Sequence, residues 1–182
     1  MSEEERRVAI IGKSLSGKTF RAIGYSRGLW RTRHLRSLVF DPYKRKNNWG
    51  AQAWVSDNFA EWARVVSTVK NCVVIWDETT HNGGREKENE KLFTAIRHDH
   101  PVLIAIGHGY QSLLPMMREN LSDLVIGLAS KKQADEWAEI MVDPEIYQAT
   151  TLKKYQWLHK KPYEPVKIHT ETAAEVLAGL PL

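Results

Sequence analysis

Short apolar runs alternate with amphipathic segments along most of the chain. Five runs have the length and composition of buried strands, and they cover residues 7–12, 37–41, 73–76, 102–106 and 124–128. Apolar residues at helical spacing predict helices between these runs, over 17–29, 58–70, 85–98 and 131–142. Strands that alternate with helices form a parallel sheet that is covered on both faces. The pattern therefore predicts an α/β fold, with binding residues just after the carboxyl ends of the strands.

The chain is less regular after Tyr147, where it predicts one hairpin and a final helix over 172–180. We divide the sequence accordingly into a core of residues 1–146 and a C-terminal extension of residues 147–182. We expect the extension to pack on the core, and the sequence assigns it no role.

Composition excludes several classes of protein. A chain of 182 residues that is 42% hydrophobic and 26% charged can bury the core of one domain. Its apolar runs are much shorter than the roughly 20 residues of a membrane-spanning helix, and its charged N-terminus has no apolar signal core. The single cysteine, Cys72, excludes an internal disulfide and a multi-cysteine zinc site. We therefore expect a soluble, cytosolic protein.

The net charge of +4 is concentrated in two basic clusters. One runs from Arg27 to Lys46, and the other runs from Lys153 to Lys161 with Tyr155 and Trp157 between its lysines. Such cations can contact phosphates, and such aromatic rings can stack on bases. A solvated surface above buried aromatic residues explains the same clusters equally well.

The first predicted strand leads into a phosphate-binding loop. The match to G-x-x-x-x-G-K-[ST] is complete, and its residues are Gly12, Lys13, Ser14, Leu15, Ser16, Gly17, Lys18 and Thr19. The glycines let backbone N–H groups point at phosphate oxygens, and the following helix adds the positive end of its dipole. In such a loop Lys18 would bridge the β- and γ-phosphates, and the Thr19 hydroxyl would bind Mg²⁺. We therefore predict ATP and Mg²⁺ as ligands.

Two acids follow the third predicted strand. Asp77 ends a run of apolar residues, where it would hold Mg²⁺ through water. Glu78 beside it would accept a proton from the water that attacks the γ-phosphate. The alternative for Glu78 is that it merely caps the loop that follows.

The fourth predicted strand ends in Gly107-His108-Gly109-Tyr110. A polar side chain at this edge could sense the γ-phosphate, which makes His108 a candidate for the catalytic site. The alternative is a surface histidine in a turn.

With these residues in place, the sequence resembles the FtsK–HerA superfamily of P-loop ATPases. The resemblance depends on Arg97-His98 before the fourth strand, on Tyr110 after it, and on the segment 114–120 with its Pro115 and Arg118. It spans residues 8–128 and is strongest to the genome-packaging ATPases of membrane-containing icosahedral viruses and tailless phages. Those proteins usually have glutamine at the position of His108, and an imidazole there would add pH dependence near neutrality.

The resemblance implies a three-layer RecA-like P-loop NTPase with a mainly parallel sheet, in which the five predicted strands have the order 5-1-4-3-2. It also implies a homo-oligomeric ring, usually a hexamer, around double-stranded DNA that is held without sequence specificity. An arginine of a neighbouring subunit would complete each ATP site. Arg85, Arg97 and Arg118 are the candidates, with Arg97 and Arg118 preferred, and a surface salt bridge is the alternative for each.

The function that the resemblance implies is an ATPase motor that packages viral DNA into a preformed capsid. Its partners would then include capsid or portal-vertex proteins, and its place would be the host cytoplasm or the packaging vertex. A phage-extrusion or plasmid-transfer ATPase of the same superfamily is one alternative, although such extrusion proteins usually carry a membrane segment. A small-molecule or nucleoside kinase is another, although a kinase has no need of Glu78. A nucleotide-binding switch with slow hydrolysis is a third.

Overall fold

The structure is a computed structural model, and it describes residues 5–43, 46–79 and 89–182. The strands are β1 Arg6–Ile11, β2 Ser37–Phe40, β3 Ala53–Ser56, β4 Val73–Trp76, β5 Val102–Gly107, β6 Asp123–Ile126, β7 Gln156–Lys160 and β8 Lys167–Thr170. The helices are α1 Lys18–Arg33, α2 Lys46–Trp49, α3 Phe59–Val66, α4 Glu90–Asp99, α5 Pro115–Glu119, α6 Lys131–Ile140 and α7 Ala173–Ala178. Two 3₁₀ helices cover Tyr110–Ser112 and Pro144–Thr150.

All eight strands form one sheet, in the order β3-β2-β4-β5-β1-β6-β7-β8. The predicted strands are β1, β2, β4, β5 and β6, which lie side by side and are parallel. The mainly parallel α/β fold predicted from the sequence is thereby confirmed. The five predicted strands keep the implied order 5-1-4-3-2, and the complete order differs only because β3 is added at one edge and the antiparallel pair β7–β8 at the other.

The strand β3 escaped prediction for a physical reason. It has only four residues, and only Ser56 among them is buried, so it lacks the continuous apolar run of the central strands. The hairpin β7–β8 agrees with the hairpin expected after Tyr147.

Helices cover both faces of the sheet because successive strand residues point to opposite faces. On β1, Val8 and Ile10 join a core with α1, α2 and α7, whereas Ala9 and Ile11 join a core with α3, α4, α5 and α6. The chain therefore has three layers, with the sheet in the middle. Among the described helices, none combines the length and the apolar character needed to cross a bilayer.

Predicted helix bounds differ from the observed ones mostly at the ends. The first helix continues four residues beyond the predicted end at 29 and closes with His34 in the left-handed conformation. Helix α3 stops at Val66 rather than at 70, because the hydroxyls of Ser67 and Thr68 turn back onto the carbonyls of the last turn. The predicted start of α4 at Arg85 lies outside the described residues.

The end of the C-terminal extension packs closely against α1. The backbone N–H of Leu180 donates to Gly24 O at 2.9 Å, and Arg27 and Arg31 donate to carbonyls at the end of α7. A Cβ atom at Gly28 would lie 1.8 Å from Leu180 O. Only a glycine at position 28 permits this approach, which fixes the position of the last residues of the chain.

Candidate functional site

The carboxyl ends of β1, β4 and β5 meet at one edge of the sheet, where the loop of residues 12–17 leads into α1. Gly17 has a φ of 90° and immediately precedes α1, a conformation that a residue with a side chain rarely adopts. As a glycine it supplies no side-chain cap, whereas Asn58, Ser130 and Thr172 accept hydrogen bonds at the starts of α3, α6 and α7. The start of α1 therefore offers backbone donors and a positive dipole end to an anion.

Lys18 reaches back over this loop. Its Nζ donates to the carbonyl oxygens of Gly12 and Lys13, each at 2.9 Å. Burial lowers the pKa of the Lys18 ammonium, and the nearby carboxylates of Glu78 and Asp77 act in the opposite direction. A phosphate in the loop would give this buried cation a charged partner in place of two neutral carbonyls.

The hydroxyl and the carboxylate predicted to hold Mg²⁺ are in direct contact. Thr19 Oγ1 donates to Asp77 Oδ2 at 2.9 Å, and Asp77 Oδ1 accepts from the backbone N–H of Glu78 at 2.9 Å. Hard oxygen ligands of this kind suit Mg²⁺, which takes one or two protein oxygens and completes its octahedron with phosphate and water. The donor set therefore fits the ion.

Glu78 faces His108 across the same edge. Glu78 Oε2 lies 3.2 Å from His108 Nε2, and the side chains are 14% and 33% exposed. The backbone of Glu78 is left-handed, with a φ of 54°, which costs about 1 to 2 kcal/mol for a residue other than glycine. Strained residues cluster at functional sites, and this one presents a carboxylate next to Asp77.

The turn after β5 holds His108 in place. Ser112 Oγ accepts from the backbone N–H groups of His108 and Gly109 at 3.1 Å each, and the His108 carbonyl accepts from Gln133 on α6. These bonds hold the backbone of His108, and its imidazole extends from there to Glu78. Whether it contacts a γ-phosphate stays a prediction.

A cleft of about 470 Å³ brings most of the predicted site together. Lys18, Thr19, Glu78 and His108 line it together with the loop, and Asp77 lies fully buried beneath Thr19. Tyr43 and Phe20 also line this cleft. Neither was singled out from the sequence, because Phe20 follows the motif without being one of its positions and Tyr43 approaches the loop only in the folded chain.

The candidate arginines do not lie in this cleft. Arg97 donates to Asn120 Oδ1 at 3.1 Å, and its carbonyl accepts from Arg7, so it belongs to the opposite, amino-terminal edge of the sheet. The Arg118 guanidinium lies 4.6 Å from the centre of the Tyr110 ring. Neither arginine lines the cleft of its own subunit, and Arg85 lies outside the described residues.

Some described members of both basic clusters bind other parts of the chain. In the first, Arg27 and Arg31 bind the end of α7. In the second, Lys160 is buried and its Nζ lies 2.6 Å from Asp143 Oδ2.

Two other lysines of the second cluster, Lys153 and Lys154, line a second cleft beside the phosphate loop. Sequence reasoning did not anticipate this cleft, although Tyr155 and Trp157, which also line it, had drawn attention as residues that could stack on bases.

Comparison with known proteins shows similarity in structure alone. No protein-family model matches the sequence, and no curated protein is recognisably similar to it. The genome-packaging NTPase B204 of Sulfolobus turreted icosahedral virus 2, solved with AMPPCP, superposes with a TM-score of 0.76 at 15% identity, covering 93% of this chain and 100% of that one.

Two bacterial proteins are similar over the same length of this chain. The cytoplasmic domain of the type VII secretion ATPase EccC from Thermomonospora curvata gives a TM-score of 0.55 at 14% identity, covering 94% of this chain and 27% of that one. The N-terminal domain of the zonular occludens toxin from Neisseria meningitidis gives 0.51 at 15% identity, covering 94% and 97%. The chain thus shares its fold with a viral genome-packaging NTPase and with a type VII secretion ATPase, and this fold is the P-loop ATPase fold that the sequence resemblance implied.

Proposed function

We propose that the chain is an ATP-hydrolysing motor that translocates double-stranded DNA and packages a viral genome into a preformed capsid. The observation that carries the proposal is the contact of Thr19 with Asp77 next to Glu78, with Thr19 and Glu78 both lining the cleft at the phosphate-binding loop. A protein that only binds nucleotides needs the loop but not a second carboxylate poised next to the Mg²⁺ acid. The likeness to a packaging NTPase supports the choice of cargo.

In the proposed reaction the loop and Lys18 hold the β- and γ-phosphates, and Thr19 and Asp77 hold Mg²⁺. The bound ion neutralises charge on the phosphates and on the transition state. Glu78 accepts the proton of the attacking water. His108, 3.2 Å from Glu78, orients that carboxylate and senses the γ-phosphate.

The proposed assembly is a homo-oligomeric ring, with a hexamer as the expected size, around DNA that is bound through its phosphates. Within it, Arg97 or Arg118 of one subunit would neutralise charge on the γ-phosphate of the next. The place of either arginine outside the cleft of its own subunit suits a role in trans. Capsid or portal-vertex proteins would be further partners, and the host cytoplasm or the packaging vertex would be the location.

The experiment is ATP turnover with and without long double-stranded DNA, over a range of protein concentrations that reaches the oligomer. We expect DNA to raise the rate several-fold, and a Glu78→Gln variant to lose turnover in both conditions. A rate of ATP turnover that does not change with DNA at any protein concentration would contradict the proposed motor function. Transfer of phosphate from ATP to a nucleoside would identify a kinase instead.

The arginine in trans has a separate test by mixing two inactive variants. A Glu78→Gln subunit retains its arginines, and an Arg118→Ala or Arg97→Ala subunit retains its carboxylate. If the substituted arginine acts across the interface, mixed rings regain part of the turnover, because a variant subunit then receives the missing arginine from its neighbour. Mixtures that stay as inactive as their components would exclude that arginine.

A further inference from the structure

The second cleft lies on the flank of the phosphate loop that faces away from Glu78. It has a volume of about 340 Å³, and Ser14, Leu15, Gly17 and Phe20 line both this cleft and the one that contains Glu78. The two clefts therefore adjoin above the loop. The far wall of the second cleft comes from the C-terminal extension, at the turn before β7 and at β7 itself.

A bound nucleotide has only one direction available along these clefts. Thr19, Asp77 and Glu78 mark the end at which Mg²⁺ and the γ-phosphate belong. With the β-phosphate on the loop and the γ-phosphate toward Glu78, the remainder of the nucleotide extends the other way. That direction leads into the second cleft.

The walls of this cleft are aromatic. Trp157 is 5% exposed, and one edge of its ring would lie 3.6 Å from a Cβ atom at Gly17, so it forms the wall next to the loop. Tyr155 is 50% exposed and presents a ring that a planar base can stack on. Lys154 Nζ lies over one face of this ring, 4.9 Å from its centre, so a base would stack on the other face.

The buried charged residues of this cleft stabilise the wall that Trp157 forms. The guanidinium of Arg21 pairs with Glu171 at the end of β8, its Nε donates to Tyr25 Oη at 3.0 Å, and it lies 5.0 Å from the centre of the Trp157 ring. The side chain is 3% exposed. Arg21 thus joins α1 to the hairpin and holds Trp157 against the loop, while Tyr155 remains the exposed stacking surface.

We propose that the C-terminal extension supplies the nucleoside pocket, with the base of the bound nucleotide stacked on Tyr155. The proposal rests on the proposed function, because the direction of the nucleotide follows from the roles of Asp77 and Glu78. It gives the extension a part in substrate binding. It also reassigns the aromatic residues of the second basic cluster from DNA to the nucleotide.

The test compares two ligands on the full chain by calorimetric titration in the presence of Mg²⁺. ATP reaches both clefts, whereas inorganic tripolyphosphate occupies only the loop. We expect Tyr155→Ala to weaken ATP binding about tenfold, since removal of a stacking ring has an effect of this order. Its affinity for tripolyphosphate stays within a factor of two of the original, and Tyr155→Phe retains affinity for both ligands.

Tyr163→Ala is a matched control. Tyr163 is also an exposed tyrosine with a left-handed backbone, with a φ of 64° against 67° for Tyr155, and it lines a different groove. The substitution therefore removes the same group at the same backbone conformation, away from the nucleotide. Binding of both ligands is expected to be unchanged.

The outcomes distinguish the proposed nucleoside pocket from the proposed ATPase function on which it depends. If Tyr155→Ala binds ATP as tightly as the original chain does, the nucleoside pocket is wrong while the ATPase proposal stands. If it loses tripolyphosphate together with ATP, Tyr155 supports the loop rather than the base, and the pocket is again wrong. If the original chain binds neither ligand, the proposed function itself fails.

Discussion

Two fully buried aspartates lie at opposite edges of the same sheet, and their partners are different in kind. Asp77 follows the carboxyl end of β4 and accepts from the hydroxyl of Thr19. Asp123 begins β6 and accepts from both Arg6 Nε, at 2.6 Å, and His159 Nε2, at 2.7 Å. Burial alone does not distinguish a functional acid from a structural one. The partners do, since Asp123 is already paired with a guanidinium, whereas Asp77 shares its site with a hydroxyl that can itself bind a metal ion.

The two acids hold different parts of the molecule. Asp123 ties β1, through Arg6, to the C-terminal hairpin, through His159. Burial opposes the ionisation of Asp123, but hydrogen bonds from His159, Arg6 and Ser122 outweigh it and hold the pKa of that carboxyl well below its usual range. We infer that Asp123 stabilises the fold and that Asp77 serves the reaction, and isosteric substitution of each tests this distinction.

Asp77→Asn is expected to have the largest effect. Turnover should fall at least about 100-fold, because the variant loses the charge that holds Mg²⁺, and such an ion is worth several kcal/mol in the transition state. The free energy of unfolding should change by less than about 1 kcal/mol, since the amide oxygen can still accept a hydrogen bond. Phosphate release and urea denaturation measure the two quantities.

Asp123→Asn is expected to show the reverse pattern. Loss of the carboxylate leaves the partly buried Arg6 without its counter-charge, and breaking a buried pair in this way costs about 3 to 5 kcal/mol. Urea denaturation measures the loss, and turnover per folded molecule should remain near its original value. A variant that is as stable as the original chain yet inactive would show that Asp123 serves the reaction rather than the stability of the fold.

The loss of stability at acidic pH provides a third comparison between Asp123 and its asparagine variant. Because the pKa of Asp123 is lower in the folded chain than in the unfolded one, its contribution is complete above the unfolded pKa of about 4 and is lost as the pH falls below it. Unfolding measured between pH 7 and pH 3 should therefore show a steeper loss for the original chain than for Asp123→Asn. Parallel curves would mean that Asp123 is not a dominant group in this range.

Gly28→Ala tests the packing of the C-terminal extension against α1 without altering a charge. The added Cβ would collide with Leu180 O, so α7 must shift, and overpacking of this kind costs about 1 to 3 kcal/mol. Gly109→Ala is the matched control, because a Cβ there would meet Gln133 at an ordinary 3.5 Å. Thermal unfolding should distinguish the two variants, and equal stability would show that the end of the chain is not held at Gly28.

The grouping of the predicted site residues in one cleft could be predicted from the sequence because each part of the cleft is encoded locally. An apolar run fixes a strand, and the residues directly after β1, β4 and β5 must then meet at one edge. Lys18, Thr19, Glu78 and His108 accordingly line one cleft, with Asp77 beneath Thr19.

Features made by contacts between distant segments could not be predicted in this way. The pair of Arg6 with Asp123, the closure of α7 on Gly28 and the wall of Tyr155 beside the loop all depend on where the C-terminal extension returns to the core. The sequence indicates that the aromatic residues near Lys154 can stack on bases, but their position beside the phosphate loop follows only from the pairing of β7 with β6.

The role of Glu78 as the base in ATP hydrolysis is tested most directly by the fate of ATP bound to the original chain and to Glu78→Gln. Both proteins are incubated with a slight excess of sites over radiolabelled ATP and Mg²⁺, and the bound nucleotide is identified after one turnover time of the original chain. We expect ADP on the original chain and intact ATP, bound as tightly, on Glu78→Gln, with no nucleotide on Lys18→Ala. Conversion to ADP at the same rate on Glu78→Gln would contradict the assignment of Glu78 as the base and with it the hydrolytic mechanism proposed for this cleft.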